Sequence, residues 1–254
     1  MSTLKMSYLA VALQLLSQCR SFVLPAQCCC CGRHGLSLCA GCKRRLHALP
    51  AAPLRTLLPT PAGPPLRVYS AAVYSGAPQK LLVHFKHGDT PQHAALLAPP
   101  LRRTLVTALQ ELTRQAPRKA EFVVVPLPSR TSRVRQRGYD HLTLLLQRAG
   151  LNPARLVPAL RATAGRQGQV GLSAAARRAN AALLTLRGRD TPRLRGKQII
   201  LVDDVCTTGA SLLAAQQTLH QAGFTVAAAV TLCVALRRDN PPPAKPSCLT
   251  PLSQ

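Results

Sequence analysis

The chain has 254 residues and carries 33 Lys and Arg against 8 Asp and Glu, a net charge of +25; hydrophobic residues make up 47% of it, aromatics only 3%, and Trp is absent. This length and apolar fraction exclude a chain disordered over most of its extent, and they provide for one ordinary domain plus a small accessory one around an aliphatic core of Leu, Val and Ala. The charge attracts polyanions, whether nucleic acid, anionic membrane or phosphorylated small molecules, but a composition biased toward Ala, Arg, Leu and Pro produces the same excess, so charge alone chooses no function.

In chain order, residues 6–16 form an apolar run too short to span a membrane and followed by no clean cleavage site. The spacing of Leu9, Leu13, Leu16 and Val23 predicts an amphipathic helix packed on its own protein. A cytoplasmic location follows, and there clustered cysteines bind metal more often than they form disulfides. Seven of the ten cysteines lie between Cys19 and Cys42. The register C-x2-C-x7-C-x2-C supplies four thiolates for a tetrahedral, structural Zn²⁺, with Cys29 and Cys30 leaving the first pair's register open. His34 and His47 read as solvated side chains. The organisation expected is a helix and cysteine module over 1–49, a Pro-rich linker over 50–65, a main domain over 66–240, and a disordered tail over 241–254.

Within the main domain, 66–74 reads as a strand, 77–87 and 94–114 as helices, and 122–126 as a short buried strand. A basic loop, SRTSRVRQRGYDH, leads into a helix from Leu142. A strand near 156–159 precedes the polar stretch RATAGRQGQVG and a helix containing Arg177, Arg178 and Asn180. Strand 197–202, helix 210–222 and strand 224–234 then make one βαβ unit. The alternation predicts an α/β fold with a largely parallel sheet covered on both faces.

With acids so scarce, the adjacent Asp203 and Asp204 at the end of an apolar run stand out. In such sheets ligands gather beyond the carboxyl ends of strands, where a following helix offers unpaired amides to a phosphate. Thr207, Thr208, Gly209, Ala210 and Ser211 are small, partly hydroxylic, and include a glycine that permits close backbone approach. Carboxylates accept from sugar hydroxyls and help hold Mg²⁺, so acids beside a phosphate cradle suit a phosphorylated ribose. A simple turn and N-cap would account for one Asp and not for the pair. Cys206 reads as packing. No GxxxxGK is present, which excludes a Walker loop.

The stretch VDDVCTTGAS resembles the ribose-phosphate signature of type I phosphoribosyltransferases. VVVPLPSRTSRVRQRGYDH and QVGLSAAARRAN resemble, in the same order, two further blocks of the ComF family of competence-associated phosphoribosyltransferase-like proteins, and with the cysteine module the similarity covers nearly the whole chain. The resemblance implies a type I phosphoribosyltransferase fold preceded by a zinc ribbon with ligands Cys28, Cys31, Cys39 and Cys42. It implies phosphoribosyl pyrophosphate with Mg²⁺ as ligand: Asp203 and Asp204 at the ribose hydroxyls, Thr207 through Ser211 at the 5-phosphate, and Arg137 and Gly138 at the pyrophosphate. Arg130, Arg133 and Arg135 are left unassigned. Gln169, Arg177 and Asn180 belong to a glycine-containing cover over the site and its flank. Transfer of a phosphoribosyl group to an unspecified acceptor, linked to DNA uptake, is the activity so implied; no general base is evident, and Tyr139 is the nearest aromatic for a nucleobase. The alternative is a non-catalytic factor that keeps the fold and binds single-stranded DNA.

Overall fold

The structure is a computed structural model that describes residues 27–60, 63–87, 90–129, 134, 138–163 and 184–236. The expected N-terminal helix, Arg130, Arg133, Arg135, Arg137, Gln169, Arg177, Asn180 and the tail lie outside the described residues. The chain divides into two compact units, Met1–Ala48 and Leu49–Gln254.

In the smaller unit, a tight turn is closed by the Cys28 amide donating to Arg33 O and the Gly32 amide donating to Cys28 O, both at 2.8 Å. Helix α1, Ala40–His47, follows and buries Cys42 and Leu46, one turn apart, on a single face.

The larger unit opens with strand β1, Leu54–Leu58, which pairs antiparallel with β2, Leu66–Val73. These residues fall inside the stretch expected to be a linker, so that expectation is corrected: its flanking prolines bound a strand with alternating burial. Helix α2, Gly76–His87, buries Leu81, Leu82 and Phe85 and ends in the basic residues Lys86 and His87, where the helix dipole favours positive charge. Helix α3, Ala94–Gln115, carries a buried stripe of Ala94, Leu97, Leu101, Leu105, Ala108 and Leu112 at helical spacing, which tolerates the internal Pro99 and Pro100. Strand β3, Glu121–Pro126, precedes α4, His141–Arg148, whose N-terminus is capped by Asp140 accepting from the Thr143 amide at 2.8 Å.

A small antiparallel pair, β4 (Leu160–Ala162) and β5 (Leu184–Leu186), stands apart from the main sheet. The strand expected near 156–159 is a single bridge, Leu156 to Val124, before β4. Strand β6, Lys197–Cys206, helix α5, Ala210–Gln221, and strand β7, Thr225–Val234, complete the unit. Between α5 and β7, Gly223 at φ 81° lets the Phe224 amide reach back to Leu219 O at 2.9 Å and end the helix.

The sheet order is β1-β2-β7-β6-β3, and every pairing except β1 with β2 is parallel. Strand alternation sorts the core. Val123 and Val125 of β3 and Ile199 and Leu201 of β6 share one cluster with Leu212, Ala215 and Leu219 of α5. Phe122 and Val124 turn the other way, toward Leu105 and Leu109 of α3. The fold is therefore the expected α/β sandwich, with a mostly parallel sheet between helices.

His93 ends a short 3-10 turn before α3, is 3% exposed, and has no hydrogen-bond partner on either ring nitrogen. Burial, then the charge of nearby His84, lowers its pKa from the ordinary 6.5. A base depressed in the folded state contributes stability that is complete above its unfolded value of 6.5 and is lost as pH falls through the lower folded value. His93→Leu is expected to flatten the decline in Tm between about pH 7 and about pH 5. Thermal denaturation followed by circular dichroism checks this; an unchanged slope places the acid sensitivity elsewhere.

Candidate functional site

The acid pair lies within β6, not beyond it. The strand runs on through Asp203 and Asp204 to Cys206, and the Asp203 position pairs with Thr231 of β7. Successive strand residues point to opposite faces, so the two carboxylates cannot act side by side. Asp203 follows Leu201 onto the face covered by α5, and Asp204 follows Val202 onto the face of α2, α3 and α4.

On that second face Asp204 is buried and its Oδ2 is doubly engaged. Lys86 Nζ from the end of α2 lies at 2.7 Å, and His141 Nε2 from the start of α4 at 2.5 Å. Burial alone would raise the carboxyl's pKa, but the Lys86 charge and the His141 hydrogen bond outweigh it and hold Asp204 far below the usual carboxylate range. Desolvation lowers Lys86, yet Asp204 more than compensates, so its pKa is raised. The other imidazole nitrogen, Nδ1, is 3.2 Å from Ser129 Oγ in the loop after β3. Phe85 packs edge-on against the His141 ring, and Tyr139 donates its hydroxyl to Phe85 O at 3.1 Å. Tyr139 thus braces this cluster and also lies against the Phe85 ring.

The first face is different. Ser70 of β2 and Thr231 of β7 are fully buried, their hydroxyls 2.7 Å apart, and Thr231 donates on to Cys233 O. Ser70, Thr231 and Asp203 continue the rows begun by Val68, Ala229 and Leu201. A polar stripe therefore replaces the aliphatic core toward the carboxyl ends of three adjacent strands. Asp203 is half-buried, and its Oδ1 accepts the Asp204 amide at 2.8 Å.

Beyond the stripe, α5 begins. Its N-cap is Gly209 at φ 76°, with no side-chain cap hydrogen bond from the N-cap residue and no acid in the first turn; the Ala210 amide donates to Thr208 Oγ1 at 3.3 Å. A Cβ at Gly209 would stand 2.4 Å from Leu58 Cδ1 of β1, so both backbone conformation and space call for glycine. Thr207 is exposed, and Thr208, Ala210 and Ser211 are half-buried around this helix end. Such an end attracts an anion through its amides and dipole. Gly138 is exposed at φ 75° just before α4.

In the smaller unit, the sulfurs of Cys28, Cys31, Cys39 and Cys42 all lie within 4.8 Å of one another, with Cys31 and Cys39 at 3.6 Å. Tetrahedral zinc with bonds of about 2.3 Å sets sulfurs about 3.8 Å apart, so the four thiols fit that ion. Burial pushes Cys28 up, but the amides of Cys39, Cys31 and Cys30 bring it down to about 6; burial and the neighbouring thiols push Cys42 to about 12. Cys29 and Cys30 stay out of the cluster, their sulfurs 3.8 Å from each other.

Residues 157–250 match the phosphoribosyl transferase domain family, a stretch that contains β6, the Thr207 turn and α5. No curated protein matches the chain. Among the described residues, no helix is long and apolar enough to cross a membrane.

Sequence reasoning missed Lys86, His141, Ser129, Ser70 and Thr231, because each reaches the site through tertiary register alone. Their arrangement separates the two acids energetically. Asp204→Asn is expected to cost about 3 kcal/mol of stability by stranding the largely buried Lys86, whereas Asp203→Asn should cost less than about 1 kcal/mol. Chemical denaturation of both variants checks the difference.

Proposed function

We propose that the larger unit binds phosphoribosyl pyrophosphate with Mg²⁺ and transfers its phosphoribosyl group to a nucleophile, releasing pyrophosphate. The observation that carries this reading is the polar stripe running from Ser70 through Thr231 to Asp203 and on to the uncapped start of α5, inside the stretch that matches the phosphoribosyl transferase domain. Asp203 accepts the ribose hydroxyls and offers Mg²⁺ an oxygen ligand. Thr207, Thr208, Gly209, Ala210 and Ser211 take the 5-phosphate. Arg137 and Gly138 receive the pyrophosphate, Arg through its planar fork of donors, and Gln169, Arg177 and Asn180 belong to the covering segment and its flank. Asp204 is the anchor of the frame: neutralised by Lys86 and oriented by His141, it fixes the end of β6 from behind.

Mg²⁺ supplies charge neutralisation at the leaving group. The residues of this chain hold the sugar and its 5-phosphate against the α5 terminus, so that the charge developing on the departing pyrophosphate meets the donors of Arg137 and Gly138. Zn²⁺ held by Cys28, Cys31, Cys39 and Cys42 is structural, because four thiolates leave no open coordination position. A cytoplasmic setting and a link to DNA uptake complete the reading, the latter resting on the resemblance to ComF. The +25 charge supports a second reading, a binder of single-stranded DNA.

Calorimetric titration with phosphoribosyl pyrophosphate, with and without Mg²⁺, tests the first reading. Binding should appear with Mg²⁺, collapse in Asp203→Asn, and depend weakly on salt. Binding of an oligonucleotide that weakens steeply with salt and survives Asp203→Asn, with no heat from the sugar phosphate, would favour the second. Metal analysis should find one zinc per chain and its loss in Cys39→Ser, with the larger unit's denaturation unchanged.

A further inference from the structure

The far end of the sheet carries a groove that the proposed function does not use. Strand β3 is an edge strand. Its odd residues face β6, as the Leu127 amide bonding Val202 O shows, so Phe122 and Val124 direct their backbone groups outward. Val124 O is taken by the Val157 amide at 2.9 Å. The chain just before Val157 turns aside as a 3-10 turn, Pro153–Arg155, which Arg193 pins through Ala154 O and Leu156 O. The edge therefore stops one step short, and the amide and carbonyl of Phe122 face the groove.

Two adjoining cavities, of about 650 and 330 Å³, occupy this place. Their shared wall is Val106, Leu109, Phe122 and Arg155, and Val106 is 43% exposed. Arg102 and Arg114 stand at the two ends. The acid in the lining, Glu121, pairs with Lys197 at 3.4 Å.

We propose that this groove docks an extended, acidic segment of another protein, which adds to the β3 edge at Phe122, sets an apolar side chain against Val106 and Leu109, and places carboxylates at Arg102, Arg114 and Arg155. Main-chain pairing at an open edge gives such a segment affinity, and pockets for alternate side chains give it selectivity. The occupant comes from outside the chain, because six of the eight acids lie among the described residues, the other two, Asp89 and Asp239, are isolated in the sequence, and no acidic run is longer than the Asp203–Asp204 pair. A second copy would bring arginines against arginines. Nucleic acid fits poorly, since the floor is aliphatic and offers no exposed ring on which a base would stack.

The test uses the full chain and a fluorescein-labelled nine-residue peptide, Glu-Ser-Glu-Ser-Val-Ser-Glu-Ser-Glu, read by fluorescence anisotropy. Alternation puts the central valine and the glutamates on one face, so that all of them address the α3 wall together. Binding should weaken at least tenfold in Val106→Glu and in Arg155→Glu, and also when the central valine of the peptide is N-methylated, which removes the edge hydrogen bond. Arg195→Glu, an exposed cation outside the groove, should leave it unchanged. Absence of binding, equal weakening by Arg195→Glu, indifference to N-methylation, or displacement by an equimolar single-stranded oligonucleotide would each overturn the proposal.

Discussion

The alternation of a single strand governs this site. β6 carries two adjacent acids through the last part of a parallel sheet, and a pleated strand sends neighbours to opposite faces. One carboxylate is therefore consigned to the helical layer of α2, α3 and α4, where an isolated buried charge would be costly. Lys86 and His141 remove that cost, and in doing so they tie the end of α2 and the start of α4 to β6. The other carboxylate is released for the opposite face. Neither role is available to a residue one position away.

That division explains why the polar groups on the α5 face are so economical. Ser70 and Thr231 satisfy one another and Cys233 O, so two fully buried hydroxyls leave no unpaired group. They bring hydrogen-bonding capacity to the sheet's carboxyl edge without adding charge, leaving Asp203 as the acid of the stripe. The unit's large positive balance thus surrounds a local, oriented negative group.

Elements with strong periodicity were legible in the sequence: the buried stripe of α3, the apolar run of β3, the βαβ unit, and a cysteine spacing that brings Cys28, Cys31, Cys39 and Cys42 together. β1 was not, because a five-residue, half-exposed strand among prolines carries the same local signal as a linker. The end of β6 was misplaced for a related reason: Asp is poor in strands, and the pairing of Asp203 with Thr231 and of Val205 with Cys233 in β7 overrides that preference. The acid pair was found, but its division was not, since Lys86, His141 and Ser129 lie far from it in sequence and no local pattern announces their convergence.

Leu58 and Gly209 meet across the same fold, an antiparallel edge strand laid against the N-cap of α5. The contact links two distant positions as mutational partners. A shorter side chain at 58 would open room for a Cβ at 209, yet the left-handed backbone of Gly209 would still resist it, so compensation would be partial and one-directional. Over evolutionary drift the leucine is therefore the freer member of the pair, and its replacements would change how much water reaches the amides at the head of the helix.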